Sequence, residues 1–484
     1  MNRQLKRVSV LVLLMFVTLF GSTSVIQVLV ADQLKNDSRN TRTLYASYSA
    51  QRGSILVDGE PIAQSVATDD EYKYQREYTN GKLYAPVTGY FTLGQGSTGL
   101  EDSLNDYLSG TANAQFFDQV AAIFSGQDPK GASVETTIDP VVQKAAYKAL
   151  GDNNGAIVAL DPSTGDILAL VSKQSYDPND LAVHDTTSVL EKYQALLADE
   201  DDPLIDRAIA GDLYYPGSTF KLVVAAAALE TGDYTIDSEF DNPSTLTLPG
   251  TTTSISNAEG GTCGGTDTAT IATAIELSCN IPMAELGLEL GQDTIAAKAA
   301  DFGFGKEIDI PMSVTPSIYP TGMDDAQTML SAFGQYEDRV TPLQMALVSA
   351  AIANGGVEMQ PTLVDQIIAS DLSVISDPEP SVYSTPMSSS TASALTAAMV
   401  SSVESGAASN ATIDGVSVAG KTGTAQNGGD LPYTLWFTGF APADDPQVAI
   451  AVVVEDGGGL GQSGWGNLVA APMAKKVLEA VLSE

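Results

Sequence analysis

Residues 8–30 form an apolar run of 23 positions without a charge. A helix of that length spans the hydrocarbon of a bilayer. Arg3, Lys6 and Arg7 precede the run, which predicts a cytoplasmic N-terminus with everything after Asp32 outside. The alternative is a cleaved signal peptide, but its apolar region would be shorter and no clear small-x-small cleavage site follows. Further on, Val57-Asp58-Gly59-Glu60 is a turn signal between short apolar runs and predicts a hairpin. Residues 157–160 and 167–170, split by Pro162 and Gly165, predict a second hairpin. The alanine-rich run 222–229 reads as a buried helix ending near Gly232. Three strand candidates follow near the end, at 416–425, 435–441 and 448–455, with links short enough for antiparallel pairing. A closing helix over 470–482 puts Val469, Met473, Val477 and Val481 on one face.

Strands first and last with helices between predict an α+β fold, one antiparallel sheet flanked by helices. The expected organisation is a cytoplasmic tail (1–7), a transmembrane anchor (8–30), a β-rich, irregular non-catalytic pedestal (33–145) and a catalytic domain (150–484). The formal charge of −37, from 60 acids against 23 bases, argues against nucleic acid, whose phosphates such a surface repels. The acidic run Asp199-Glu200-Asp201-Asp202 reads as a solvated loop. Two cysteines and one histidine leave no standard zinc set, and neither a metal nor any other cofactor is called for.

Three short motifs carry the candidate chemistry: Ser218-Thr219-Phe220-Lys221, Ser278-Cys279-Asn280 and Lys421-Thr422-Gly423. In a helix, i and i+3 share a face, so the Lys221 amine can reach the Ser218 hydroxyl. Ser218 would sit at the N-terminus of the 222–229 helix, behind Pro216-Gly217, where unpaired N–H groups favour a developing anion. A serine nucleophile needs a base. His184 lies in a polar stretch with no nucleophile signature nearby and reads as a loop residue. Lysine is the better candidate, because burial and a second cation, here Lys421, lower its pKa toward a neutral amine. Each motif alone recurs by chance; their order, context and spacing together do not.

The set resembles the class B penicillin-binding proteins, membrane-anchored serine D,D-transpeptidases of cell-wall synthesis, with Cys279 where the usual middle motif has Asp. The resemblance extends to Gln51-Arg52-Gly53-Ser54-Ile55, Gly99-Leu100-Glu101, Tyr107-Leu108-Ser109-Gly110, Thr136-Thr137-Ile138-Asp139, the block 155–165, Phe302-Gly303-Phe304-Gly305, the block 341–346 and the block 436–442. One departure is Asp206-Arg207-Ala208, where the family usually has Asn-Arg-Ala. The short form without appended repeats is similar to the penicillin-binding protein A type of actinobacteria. The fold implied is that of serine β-lactamases and penicillin-binding transpeptidases. The pedestal is too short for the glycosyltransferase domain of class A relatives.

The resemblance implies acyl transfer on peptidoglycan stem peptides ending in D-alanyl-D-alanine, with β-lactams as covalent inhibitors. Ser218 would be the nucleophile and Lys221 its base. Ser278 would relay protons to the leaving amine, and Asn280 would fix Lys221 and the substrate amide. The Lys421-Thr422-Gly423-Thr424 strand would bind substrate as an added strand. There Lys421, Thr422 and Thr424 would hold the terminal carboxylate, and Gly423 would leave room for the substrate backbone. The Ser218 and Thr424 amides would form the oxyanion hole. Cys279, Trp436 and Phe437 read as packing beside the site, and Arg52 as a pedestal stabiliser. Outside the cytoplasm Cys263 and Cys279 can oxidise. The expectation is a disulfide closing a loop of 15 residues, worth roughly 3 kcal/mol, against two buried free thiols. A D,D-carboxypeptidase, a β-lactamase-like hydrolase and a non-catalytic cell-wall scaffold are the rival readings. A membrane glycosyltransferase of the SEDS group is an implied partner.

Overall fold

The computed structural model describes residues 3–26, 30, 48–115, 130–211, 213–258 and 260–483. The last turn of the expected anchor (27–29), the start of the expected pedestal (33–47) and its stretch 116–129 lie outside the described residues. Arg3–Ser24 is one helix with no buried side chain, long and apolar enough to cross a membrane.

The Asp58-Gly59 signal makes its hairpin. Ile55–Val57 pairs with Glu60–Ala67, and both turn residues take positive φ, 53° and 73°, as a type I′ turn requires. The sheet it belongs to has six strands. Their order is Val374–Ser376, Val364–Ile368, Ser133–Thr136, Ile55–Val57, Glu60–Ala67, Tyr74–Tyr78. Two of the six come from the distal half of the chain, so a division near 145–150 does not separate two independent units. Periodicity could not show this, because a strand's partner is set by tertiary contact and not by its own pattern. Beside this sheet Glu101 is fully buried between two cations. Arg52 Nη2 donates to its Oε2 at 2.8 Å, and Arg76 Nε donates to its Oε1 at 2.5 Å. Burial alone would raise the Glu101 pKa, but the two guanidiniums outweigh it and hold the carboxyl below its usual range.

The second sheet has five strands in the order Ala419–Ala425, Thr434–Ala441, Val448–Val454, Gly155–Leu160, Ile167–Lys173, all antiparallel. Its central strand is buried on both faces. Ala449, Ala451 and Val453 join one core, and Val448, Ile450, Val452 and Val454 join the other, as a period of two dictates. The second core takes up the helices Pro140–Leu150 and Gly466–Val481. The first takes up Pro342–Ala353 and Lys221–Thr231. The α+β expectation therefore holds, as do all three late strands to within a few residues. Gln143 ties the two regions together. Its Nε2 donates to Leu83 O at 3.0 Å and Leu170 O at 2.9 Å, and its Oε1 accepts from Leu170 N.

Candidate active site

The helix after Ser218 is Lys221–Thr231, closed by Gly232 at φ 79°. Ser218 itself is not in it. The segment Gly217–Phe220 is a 3₁₀ turn that leads directly into the helix, so Ser218 stands just before its N-terminus and the expected helical i, i+3 relation to Lys221 is corrected to a 3₁₀ one. The turn is tightened by Thr219 Oγ1 donating to Pro216 O at 2.7 Å, and it is pinned by Gly217 N donating to Gly334 O at 2.9 Å. In a 3₁₀ turn residues i and i+3 eclipse, so the correction keeps Ser218 and Lys221 on one side. Ser218 is half-buried and Lys221 fully buried.

The middle motif bridges the other two. Lys221 Nζ donates to Ser278 O at 2.8 Å and to Asn280 Oδ1 at 2.9 Å. Lys421 Nζ donates to Ser278 Oγ at 2.8 Å and to Thr422 O at 2.9 Å. Ser278 holds φ at 63°, a conformation rare for a residue with a side chain, and this turns its carbonyl and hydroxyl toward the two lysines. Burial, then the charge of Lys421, push the Lys221 pKa well below the ordinary lysine value. Burial lowers Lys421 to about 7. A neutral Lys221 amine has two N–H bonds, and Ser278 O and Asn280 Oδ1 take both. Its lone pair is left for a third direction.

Strand Ala419–Ala425 lies against the nucleophile turn. A Cβ on Gly423 would meet Pro216 O and Trp436 Cβ at 3.0 Å and Thr219 Cγ2 at 3.2 Å. The glycine thus lets the turn approach the strand, rather than simply leaving space for a ligand. Thr424 Oγ1 accepts from Gly466 N at 3.2 Å and keeps its own proton to give. Thr422 Oγ1 donates to Ala407 O at 2.9 Å, so its hydroxyl must turn before it can donate to a ligand. Trp436 and Phe437 are fully buried, and Trp436 Nε1 donates to Tyr215 O at 2.9 Å, steadying the approach to Pro216.

Cys263 and Cys279 are bonded to each other. A second tether runs beside the disulfide, one that motif spacing missed. Asn257 Oδ1 accepts from the amides of Asn280 (2.8 Å) and Ile281 (3.2 Å). Its Nδ2 donates to Asn242 Oδ1 at 3.0 Å, and Asn242 Nδ2 donates to the carbonyls of Cys263 (2.7 Å) and Thr266 (2.9 Å). Each asparagine directly follows a three-residue strand, Glu239–Asp241 and Ser254–Ser256, and that placement is its only signal in the sequence. His184 lies away from these groups, its Nδ1 paired with Asp70 and its ring against Tyr72. Asp199 to Asp202 are exposed, and among the described residues no cluster suits a metal ion.

Residues 155–479 match the penicillin binding protein transpeptidase domain. The chain belongs to the penicillin-binding protein transpeptidase family. Residues 52–134 match the penicillin binding protein A dimerisation domain. Over its full length the chain is 42% identical to the peptidoglycan D,D-transpeptidase PbpA of Mycolicibacterium smegmatis, covering 100% of both. It is 40% identical to PbpA of Mycobacterium tuberculosis, over 100% of this chain and 99% of that one. The solved structure of penicillin-binding protein A from M. tuberculosis as its ceftriaxone acyl-enzyme is similar at a TM-score of 0.87 and 39% identity. The match covers 90% of this chain and 100% of that one. The penicillin G acyl-enzyme of the same protein matches at 0.84 and 38%, with 90% and 100% covered. The transpeptidase fold and the pedestal are therefore those of this family, and in this chain an apolar N-terminal helix precedes them.

Proposed function

We propose that the protein is a peptidoglycan D,D-transpeptidase working through an acyl-enzyme on Ser218. The observation that carries this reading is the Lys221 amine, held by two acceptors and with its pKa lowered well below the ordinary lysine value by burial and by Lys421. Ser218 Oγ attacks the carbonyl of the penultimate D-alanine while its proton passes to Lys221 Nζ. The carbonyl oxygen takes the charge, stabilised by the amides of Ser218 and Thr424. Collapse breaks the peptide C–N bond, and Ser278 Oγ relays a proton to the departing D-alanine amine. An amine of a neighbouring stem then attacks the ester, forming the crosslink and returning the proton to Ser218. Asn280 fixes Lys221 and the substrate amide. Lys421 and Thr424, joined by Thr422 once it releases Ala407 O, hold the terminal carboxylate. β-Lactams acylate the same serine.

Arg3–Ser24 anchors the protein, with the N-terminus cytoplasmic and the catalytic domain extracellular. The division proposed is a pedestal within 33–145, completed by the strands Val364–Ile368 and Val374–Ser376, and a catalytic domain over the rest of 150–484. Anchor and pedestal together offer the contact for a SEDS-type glycosyltransferase; loss of co-purification from native membranes under mild detergent would remove that partner.

The test of the activity is covalent labelling of the full-length protein by a fluorescent penicillin, beside Ser218→Ala, over hours. Stable label lost in the variant supports the reading. Label that forms and quickly vanishes points to a hydrolase, and no label in folded protein to a scaffold.

A further inference from the structure

A cavity of about 210 Å³ lies where the pedestal meets the catalytic domain. Helix Gly81–Thr88 and the segment 98–103 form one wall, through Pro86, Asp102 and Ser103. Residues 172–176, 203–209 and 312–313 form the other, through Ser175, Asp206 and Ile209. We infer that this cavity binds a small organic cation, a primary ammonium on a short apolar body, with the Asp206 carboxylate as its counter-ion.

Asp206 is the residue that departs from the Asn-Arg-Ala pattern, and no step of acyl transfer uses it. Its Oδ1 accepts from Ala208 N at 3.1 Å. Its Oδ2 is shielded from solvent without a hydrogen-bond partner, and so is the Oγ of Ser175 on the same cavity. A buried carboxylate oxygen with no donor is costly, and a ligand that brings N–H groups removes that cost. The sign of the ligand follows from the lining. No lysine, arginine or histidine contributes to it, and Asp102 adds a second acid at the exposed rim. Arg207, next in the chain, turns its guanidinium away, to Glu455 Oε1 and the carbonyls of Asp201 and Asp202. An anion would therefore meet two carboxylates and no cation. A divalent metal lacks ligands, since no three acidic, histidine or cysteine groups cluster among the described residues. Pro86, Leu204, Ile209 and Met312 give the apolar body its contact. The volume suffices, because cavities of about 150 Å³ already take benzene.

The acid's own titration supplies an independent handle. Burial raises the Asp206 pKa to about 7, against the Ala208 amide and Arg207, which lower it. Tyr176, on the cavity, and Tyr214, nearby, are phenols whose own burial keeps them neutral at that pH. The ligand needs the ionised carboxylate. Its affinity is thus at a plateau above pH 7 and falls about tenfold per unit below it.

The probe is n-butylammonium chloride, titrated by calorimetry into the full-length protein in phosphatidylcholine nanodiscs. Empty discs, n-butanol and butyrate serve as controls. The expected result is saturable binding of the ammonium, at least tenfold weaker at pH 6 than at pH 8, with no saturable binding of butyrate. Asp206→Asn, shown to be folded by penicillin labelling, should weaken binding at least tenfold, and Ser175→Ala should weaken it less. Heat no greater than from empty discs overturns the inference, as does equal affinity in Asp206→Asn or equal affinity for butanol. If Asp206→Asn does not fold, the pH series decides alone, and pH-independent binding overturns the inference.

Discussion

Lys221 and Lys421 hold Ser278 by different atoms, the first on its carbonyl oxygen and the second on its hydroxyl, each at 2.8 Å. A charge on Lys421 adds to the burial that lowers the Lys221 pKa. Removing it with Lys421→Gln should raise the Lys221 pKa. A base works when neutral, so acylation rises as pH passes upward through that pKa, and the variant's rise should move to higher pH. The rate of penicillin acylation between pH 5 and 9 checks this. At neutral pH the loss should be on the order of 10²-fold, the scale of one acid–base group.

Asn257→Ala removes the acceptor shared by the Asn280 and Ile281 amides and one of the two donors to Asn242 Oδ1, leaving the other, Cys263 N. A lost buried partner of this kind costs about 1–3 kcal/mol. Acylation should slow tenfold or more while the fold persists. Melting temperature and labelling rate, measured on the same sample, separate the two effects.

The Cys263–Cys279 bond predicts no alkylated thiol in the unreduced protein and two after reduction, read by intact mass. The double Cys→Ala variant should lose roughly 3 kcal/mol of stability by the loop-entropy model. It should lose acylation rate as well, because Cys279 sits between Ser278 and Asn280.

Glu101→Gln leaves Arg52 and Arg76 without their shared counter-charge in a dry site. Breaking a buried pair costs about 3–5 kcal/mol. The wild-type carboxyl is held below its ordinary pKa, so its contribution is present above the unfolded value and lost as pH falls through the folded one. Calorimetric melts from pH 3 to 7 should show that loss in the wild type and not in Glu101→Gln.

The motifs were legible because the chemistry demands particular side chains at fixed local spacing. Ser218 and Lys221 are three apart, and the alanine-rich run behind them announces a helix. The late strands were legible too, since Val448–Val454 is an unbroken apolar run of a length that suits a buried strand. What stayed hidden depended on contact across long stretches of chain. Asn257 acts on a residue 23 positions away through an amide that no periodicity marks. Gly423 reads in the sequence as room for a substrate backbone, but nothing local shows that Pro216, Thr219 and Trp436 also crowd the space of its missing side chain. The 3₁₀ form of the Ser218 turn depends on Gly334, which no local pattern could supply.

Strand Val364–Ile368, paired with Ser133–Thr136, has a mechanical consequence. A single flexible linker would let the catalytic domain swing like a gate on one hinge. Here the chain crosses back and laces the two regions through hydrogen bonds that run across a sheet. Force drawn along the strands loads those bonds together, in shear, rather than one at a time by peeling. Tension between the first sheet and the catalytic groups would thus pass through a stiff plate, which keeps those groups at a fixed height and bearing.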